Sequence, residues 1–397
     1  MAKKVIFHID VNSAFLSWEA VERLKSGETT DLREIPSAVG GDMSKRHGVI
    51  LAKSVPAKKY NIKTGEPIVD ALKKCPNLLI VKSNHGLYEK YSNAFISVLK
   101  KYSPIVEQYS IDEAFMDMTS MEKLFGEPIK AAHTIKDEIR ETLGFTVNVG
   151  ISSNKLLAKM AGDFEKPDKV HTLFPEEIER KMWPLPVRDL LFIGQSTEKQ
   201  LHNLGIKTIG QLAHTEPIVL KAVFKKQGEM MYAYANGIDN SDLEPEPEEN
   251  KGYGNSMTIE FDVTDAETAK KYLLQLTENV CRRLRGEGVR AGEVTVSIRY
   301  NTLNRVSHQC ALATSTNITR EIYETVCKLF DEMWEGTPIR LLGVRAGKVT
   351  HEDNNRQLSF FDNTDYDKLE KLDKAVDDIR KKYGQGSIKP ASFLEKR

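Results

Sequence analysis

Between Val5 and Ile151 strand-like and helix-like segments follow one another as β-α-β-β-α-β, an order that few folds accept. VIFHID at 5–10 is an apolar run of strand length. Over 86–101 a helical period sets Leu87, Tyr91, Phe95, Val98 and Tyr102 on one stripe. IVEQYS at 105–110 and AFMDM at 114–118 read as strands joined by a short turn at Ile111–Glu113. A second helix places Ile129, Ala132, Ile135 and Ile139 on one face, and FTVNVGI at 145–151 is the closing strand. The order is ferredoxin-like, with residues 11–80 inserted after the first strand.

The same order returns further on. SMTIEFDV (256–263), a helical period over 266–285, EVTVSIRY (293–300), RVSHQCALA (305–313), a helix at 320–334 and a strand at 340–349 form a second ferredoxin-like module. Only the first module carries acids at its central hairpin, so the first is read as chemical and the second as a binding platform. LEPEPEEN at 243–250 is acidic, proline-interrupted and aperiodic, as an exposed linker would be. From about 174 to 240 short helices are broken by Gly194, Gly205 and Gly210. Within that stretch LLFIGQSTEKQLHNLGI resembles a helix-hairpin-helix, whose amides face phosphate oxygens. After HEDNNR at 351–356 comes a polar tail with one helical segment, roughly 365–383.

With 397 residues the chain is expected to hold two to four domains. Hydrophobic content of 40% and charged content of 29% suit globular cores. No apolar run approaches the roughly 20 residues that span a bilayer, and the N-terminus lacks a signal-peptide layout. Cys75, Cys281, Cys310 and Cys327 show no CxxC spacing and are expected to be free thiols in a reducing, cytoplasmic setting. Basic and acidic residues balance at 57 each, which by itself weighs against a nucleic-acid binder. The charge is segregated, however: KKYNIK at 58–63 and RRLRGEGVR at 282–290 are basic, while DNSDLEPEPEEN at 239–250 is acidic.

Three acids stand out. Asp10 ends the first strand, and Asp112 and Glu113 sit at the hairpin turn. In a ferredoxin-like sheet the first strand neighbours that hairpin, so the three can meet at one rim. Two-metal phosphoryl transfer needs such a carboxylate cluster, and magnesium prefers its hard oxygens. Taken singly each acid is better explained as a strand-end or turn residue. On spacing alone the two-metal site stays an even choice, because nucleotide cyclases and some nucleases share the geometry.

FHIDVNSAF (7–15), YSIDEAFMD (109–117) and VGISSNKLLAKMAGDFEKPDKV (149–170) resemble the palm motifs of Y-family DNA polymerases, nearest the bacterial DNA polymerase IV branch. The likeness runs over nearly all of residues 3–350. It implies an α+β, multidomain right-hand polymerase. Its parts would be a palm (1–13 and 81–170), small fingers (14–80), a helix-hairpin-helix thumb (174–240), a linker (241–251), a little finger (252–350) and a tail (351–397). By the same resemblance Asp10, Asp112, Glu113 and the Val11 carbonyl hold two Mg2+ ions, Phe15 is the steric gate against ribose, and Lys166 reaches the incoming triphosphate. Ser110, Asn154 and Lys155 fall in matching palm segments, Lys155 being equally readable as a solvated helix residue.

The chain departs from the family pattern twice. Val55 and Lys58 stand where a tyrosine and an arginine usually bind triphosphate, and lysine lacks arginine's planar fork. A nucleotide affinity below that of the arginine-bearing relatives is the expectation. In the thumb hairpin Phe192 replaces the first of two glycines and only Gly194 remains. QLSFF at 357–361 resembles the peptide by which bacterial polymerases dock on the sliding clamp, with Gln357, Leu358, Phe360 and Phe361 as contacts. The implied function is low-fidelity, translesion extension of primer-template DNA from deoxynucleoside triphosphates, without proofreading, by a monomer. Two rival readings fit the residues less well. A catalytically idle, clamp-recruited DNA-binding scaffold would have no use for Asp112–Glu113, and a nucleotidyl cyclase would have none for a thumb hairpin.

Overall fold

A computed structural model describes residues 4–41, 48–246, 249–351, 365–384 and 386–390. Described residues up to 246 form one unit and those from 249 onward another. In the first unit the strands are β1 (Ile6–Val11), β2 (Ser37–Gly40), β3 (Ile50–Lys53), β4 (Leu79–Lys82), β5 (Val106–Gln108), β6 (Glu113–Asp117), β7 (Val147–Ser152) and β8 (Val170–Thr172). They make a five-stranded sheet, β5-β6-β1-β7-β8, and a three-stranded one, β3-β2-β4. The first four strands of the larger sheet are antiparallel in the expected ferredoxin-like order, and β8 adds a parallel edge beside β7.

Strand β1 is buried on both faces, which is why it reads as a nearly unbroken apolar run. Phe7, Ile9 and Val11 enter the main core with residues of the helices Ala14–Lys25, His85–Leu99 and Pro128–Leu143. On the opposite face Ile6 meets Phe115 and Ala158. Because side chains alternate along a strand, His8 and Asp10 share that second face. It is covered by the helix Lys155–Gly162. A Cβ on Gly150 of β7 would stand 1.9 Å from the Ala158 carbonyl oxygen and 2.4 Å from the Gly162 nitrogen. Only glycine lets this helix lie directly on the sheet.

Ile129, expected on the buried stripe of its helix, is 51% exposed. The buried residues are Ala131, Ala132, Ile135, Lys136 and Ile139. At about 100° per residue, Ile129 lies roughly a quarter turn from their mean direction. Strands β2–β4 belong to the insertion, whose separate small core includes Ala38, Ile50, Ile62 and Ile68. The helices from Gln195 to Ala235 enclose another core of Leu201, Ile209, Leu212, Leu220 and Met231. No helix among the described residues is long and apolar enough to cross a membrane. All four cysteines are free.

The second unit has β9 (Gly252–Val263), β10 (Arg290–Tyr300), β11 (Arg305–Thr316) and β12 (Ile339–Thr350), with helices Ala266–Gly286 and Thr319–Met333 between them. The element order is as read from the sequence, but the lateral order is β11-β10-β12-β9. In the first module the second hairpin strand, β6, lies against β1 in the middle. Here the hairpin faces the other way, and its first strand is central while β11 forms an edge. Hydrophobic periodicity fixes which face of a strand is buried and says nothing of its neighbour, so this difference left no trace in the pattern. The tail helix Tyr366–Tyr383 docks on this unit through ion pairs of Arg285 with Asp377 (2.6 Å) and Asp373 (3.1 Å), and of Arg380 with Glu278 (3.1 Å). Arg290 pairs with Glu370 at 3.1 Å, so the basic stretch 282–290 is partly neutralised from within. The QLSFF segment, Gln357, Leu358, Phe360 and Phe361 included, lies outside the described residues.

Candidate active site

Asp10 of β1 stands directly across from Glu113, the first residue of β6. The Val11 N–H donates to the Asp112 carbonyl at 2.9 Å, fastening the hairpin turn to the end of β1. Within the turn the N–H groups of Tyr109 and Ser110 both donate to the Glu113 carbonyl at 3.1 Å. Ser110 Oγ donates to the Asp112 carboxylate at 2.8 Å. The fold therefore brings Asp10, Val11, Asp112 and Glu113 to one rim of the sheet.

Two carboxylates of that rim, those of Asp10 and Glu113, are engaged by cations of the chain itself. Lys159, on the helix Lys155–Gly162, pairs with Glu113, and Lys166 pairs with Asp10. Lys166 also reaches Asp163 at 2.9 Å. His8 Nε2 donates to Glu113 Oε2 at 2.8 Å. Burial favours the neutral acid at Glu113, but His8 and Lys159 outweigh it and hold the carboxyl down at about 2. Burial dominates at Asp10 and raises its pKa, against the pull of Lys166. His8 is lowered by burial, and Lys166 is raised because Asp10 and Asp163 outweigh its own desolvation. Among the described residues no three or more His, Cys, Asp or Glu side chains are gathered as they would be around a metal ion. Backbone register juxtaposes the acids, while the side chains of Asp10 and Glu113 turn to the two lysines.

The donor set nevertheless suits a hard divalent ion: carboxylate oxygens and a backbone carbonyl from adjacent strands. Asp10 and Glu113 are 16% and 18% exposed and each demands a positive partner, which an ammonium supplies here.

Sequence reasoning passed over His8, Lys159, Asn12 and Asn148. Asn148 is fully buried; its Nδ2 donates to the carbonyls of Gly162 (3.0 Å) and Glu165 (2.6 Å), and its Oδ1 accepts from Asn12 at 3.1 Å. Asn12 Oδ1 in turn accepts from the Asp168 N–H at 3.0 Å. These bonds clamp the loop that carries Lys166 to the sheet. Two signals were available: His8 is two residues before Asp10 on the same face, and Lys159 is four after Lys155 on a helix. Lys155 is no solvated residue, for it pairs with Glu107 at 2.7 Å and lies 5.2 Å over the Phe115 ring. Asn154 caps that helix, accepting from the Leu157 N–H at 2.8 Å.

Phe15 is half-buried and stacks on Tyr88 with ring centroids 4.4 Å apart and planes 9° from parallel. Val55 and Lys58 bound a one-turn helix capped by Ser54. Lys58 is exposed, and its side chain makes no hydrogen bond or ion pair among the described residues, so the structure does not join it to the acids.

The sequence matches the impB/mucB/samB family over residues 9–163 and that family's C-terminal domain over 250–360. It also matches a DNA polymerase-iota thumb domain over 188–239. It is 49% identical over 394 residues to a DNA polymerase IV of Clostridium acetobutylicum, covering 99% of each chain. A DNA polymerase IV of Acetivibrio thermocellus is 37% identical, across 100% of this chain and 98% of that one. DNA polymerase IV 2 of Bacillus subtilis is 36% identical, across 99% and 95%. A solved Y-family DNA polymerase chimera superposes with a TM-score of 0.75 at 22% identity, over 88% of this chain and 100% of the other. The chain belongs to the impB/mucB/samB family, that of the Y-family DNA polymerases. Within it, its relatives are bacterial DNA polymerases IV.

Proposed function

We propose that this DNA-directed DNA polymerase extends a primer opposite damaged as well as intact template, with low fidelity and without proofreading, from the rim formed by Asp10, Asp112 and Glu113. Two magnesium ions are the cofactor this reading requires; when bound they would stabilise charge on the attacking and leaving oxygens. Asp10, Asp112, Glu113 and the Val11 carbonyl would hold them. The chain's own contribution is positioning and electrostatics. Register sets Asp10 against Glu113, the Val11–Asp112 bond fixes the turn, and Ser110 orients the Asp112 carboxylate. Lys166, a third exposed and held by the asparagine clamp, would meet triphosphate oxygens.

Phe15, pinned against Tyr88, would exclude a ribose 2′-hydroxyl. Lys58 would supply charge to the triphosphate without arginine's bidentate fork. QLSFF, through Gln357, Leu358, Phe360 and Phe361, would fasten the enzyme to the sliding clamp. The scaffold alternative is disfavoured by the care with which the acids are held.

The single observation that carries the reading is the cross-strand pairing of Asp10 with Glu113 at the turn holding Asp112. Primer extension with magnesium tests it. Asp112→Ala is expected to lose incorporation by about a thousandfold or more while binding primer-template normally. Extension that survives this change would remove Asp112 from the chemistry, and DNA binding by a parent enzyme that extends nothing would favour the scaffold.

A further inference from the structure

Within β1 the reaction proposed above leaves one polar side chain without a task. His8 is 1% exposed, on the central strand of the larger sheet, opposite Phe115 of β6 on one side and Gly150 of β7 on the other. Its ring lies 4.8 Å from that of Phe115, centroid to centroid. On the helix side, a Cβ on Gly162 would come within 3.1 Å of Nδ1. That nitrogen has no hydrogen-bond partner among the described residues. Burying it costs free energy that an apolar side chain of similar size would not. What the imidazole adds in return is a single Nε2–H, aimed at Glu113.

Glu113 is held unevenly. His8 and Lys159 both meet Oε2, and Oε1 accepts a hydrogen bond from no described residue. The two donors differ in kind. Lys159 brings its charge on a flexible stem and is 16% exposed, so its place at the carboxylate is open to exchange with a divalent ion. The imidazole is enclosed between Phe115 and the helix Lys155–Gly162, and no such exchange is open to it. It stays on Oε2 whichever cation the carboxylate carries.

We propose that His8 is a positioning residue of the active site: through Oε2 it fixes the Glu113 carboxylate so that Oε1 is offered to the divalent ion. The inference rests on the polymerase reading, in which Glu113 is a metal ligand. A group one hydrogen bond behind a ligand sets that ligand's orientation, and its loss typically weakens metal affinity by about tenfold to a hundredfold. His8 suits this role because the central strand delivers its ring and the overlying helix confines it.

The experiment compares His8→Gln with His8→Met in the full-length protein. The two side chains match in length and nearly in bulk, and only glutamine carries an N–H to replace that of Nε2. Free Mn2+ is read by electron paramagnetic resonance in the presence of a dideoxy-terminated primer-template and the next deoxynucleoside triphosphate, so that binding is measured without turnover. Methionine is expected to weaken Mn2+ binding by about tenfold or more, and glutamine by about threefold or less. In primer extension the magnesium concentration for half-maximal rate should rise in the same proportion, while KM for DNA stays at the parent's value. Mn2+ affinity in His8→Met equal to the parent's overturns the proposal. So does an equal loss in both variants, which would make the packing of the ring the cause. Should either variant fail to fold, as thermal unfolding would reveal, the parent supplies the measurement. With isotope-labelled histidine, the His8 Nε2–H resonance should shift as magnesium saturates the same non-reacting complex, and a resonance that does not move also overturns the proposal. If the parent binds Mn2+ and extends primers while any of these contrary results holds, only this inference fails; if the parent does neither, the polymerase reading fails with it.

Discussion

The ring of Phe15 is held on several sides. Tyr88 stacks beneath it, His85 meets it edge-on at 6.3 Å, and Trp18 lies 5.9 Å away. Tyr88 is itself fixed, its hydroxyl donating to Glu19 at 3.0 Å. As a steric gate, a ring so confined would not swing aside to admit an extra hydroxyl. Phe15→Ala is therefore predicted to raise ribonucleotide over deoxyribonucleotide incorporation by at least about tenfold, measured by single-nucleotide extension. An unchanged sugar preference would show that Phe15 is only a core residue. At this scale the sequence was partly legible. That Asp10, Asp112 and Glu113 share one rim could be read because each interrupts an apolar run at its end. His8 and Lys159 could not, because their importance lies in what they touch. Lys159 reads as any helix lysine until the helix is laid on β7 and β1, within reach of Glu113. Asn148 likewise reads as a polar interruption in a strand until Gly162 and Glu165 come within bonding distance.

Helix and strand placement carries two consequences that stability measurements can reach. Glu138, on the helix Pro128–Leu143, accepts from Lys101 at 2.6 Å and from Tyr102, just past the helix His85–Leu99. Lys101 and then Tyr102 draw its pKa below the ordinary 4.5, against burial. A depressed carboxyl stabilises the fold above its unfolded pKa and loses that contribution as pH falls through its folded one. The stability advantage of the parent over Glu138→Gln, read from urea midpoints, is thus expected above pH 4.5 and should fade below it. An advantage that persists unchanged to pH 2 would contradict this account. At Gly150 the outcome is steric. Gly150→Ala drives a methyl into the backbone of the helix Lys155–Gly162 and is predicted to cost about 3 kcal/mol or more. A melting temperature equal to the parent's would mean that the helix lifts without penalty. The helices His85–Leu99, Pro128–Leu143, Ala266–Gly286 and Thr319–Met333 were foreseen from their apolar period, while Ala14–Lys25 and Ile68–Lys74, inside the insertion, were not. Strands β2, β3, β4 and β8 were not foreseen, because runs of three or four residues carry too little periodicity to separate from loop.

At the scale of the whole chain, the unit from residue 249 onward has its own core, built from residues such as Leu273, Val280, Val296, Phe330 and Leu342. Expressed alone, residues 249–397 are predicted to unfold in one cooperative transition, followed by circular dichroism on heating. A broad melt without a transition would show that this core depends on the rest of the chain. The sequence announced two modules with one order of elements; it could not announce that their hairpins insert in opposite senses. That inversion changes which strand ends lie side by side at the rim. Suppose acids were written into the second module at Asn304 and Arg305, the start of β11, to copy the first. With β10 and β12 intervening, they would face the end of β9 across three strand spacings, about 14 Å, too far for any pair of ions to bridge. Copying the first module's acids position for position would therefore gather no such pair of carboxylates in the second.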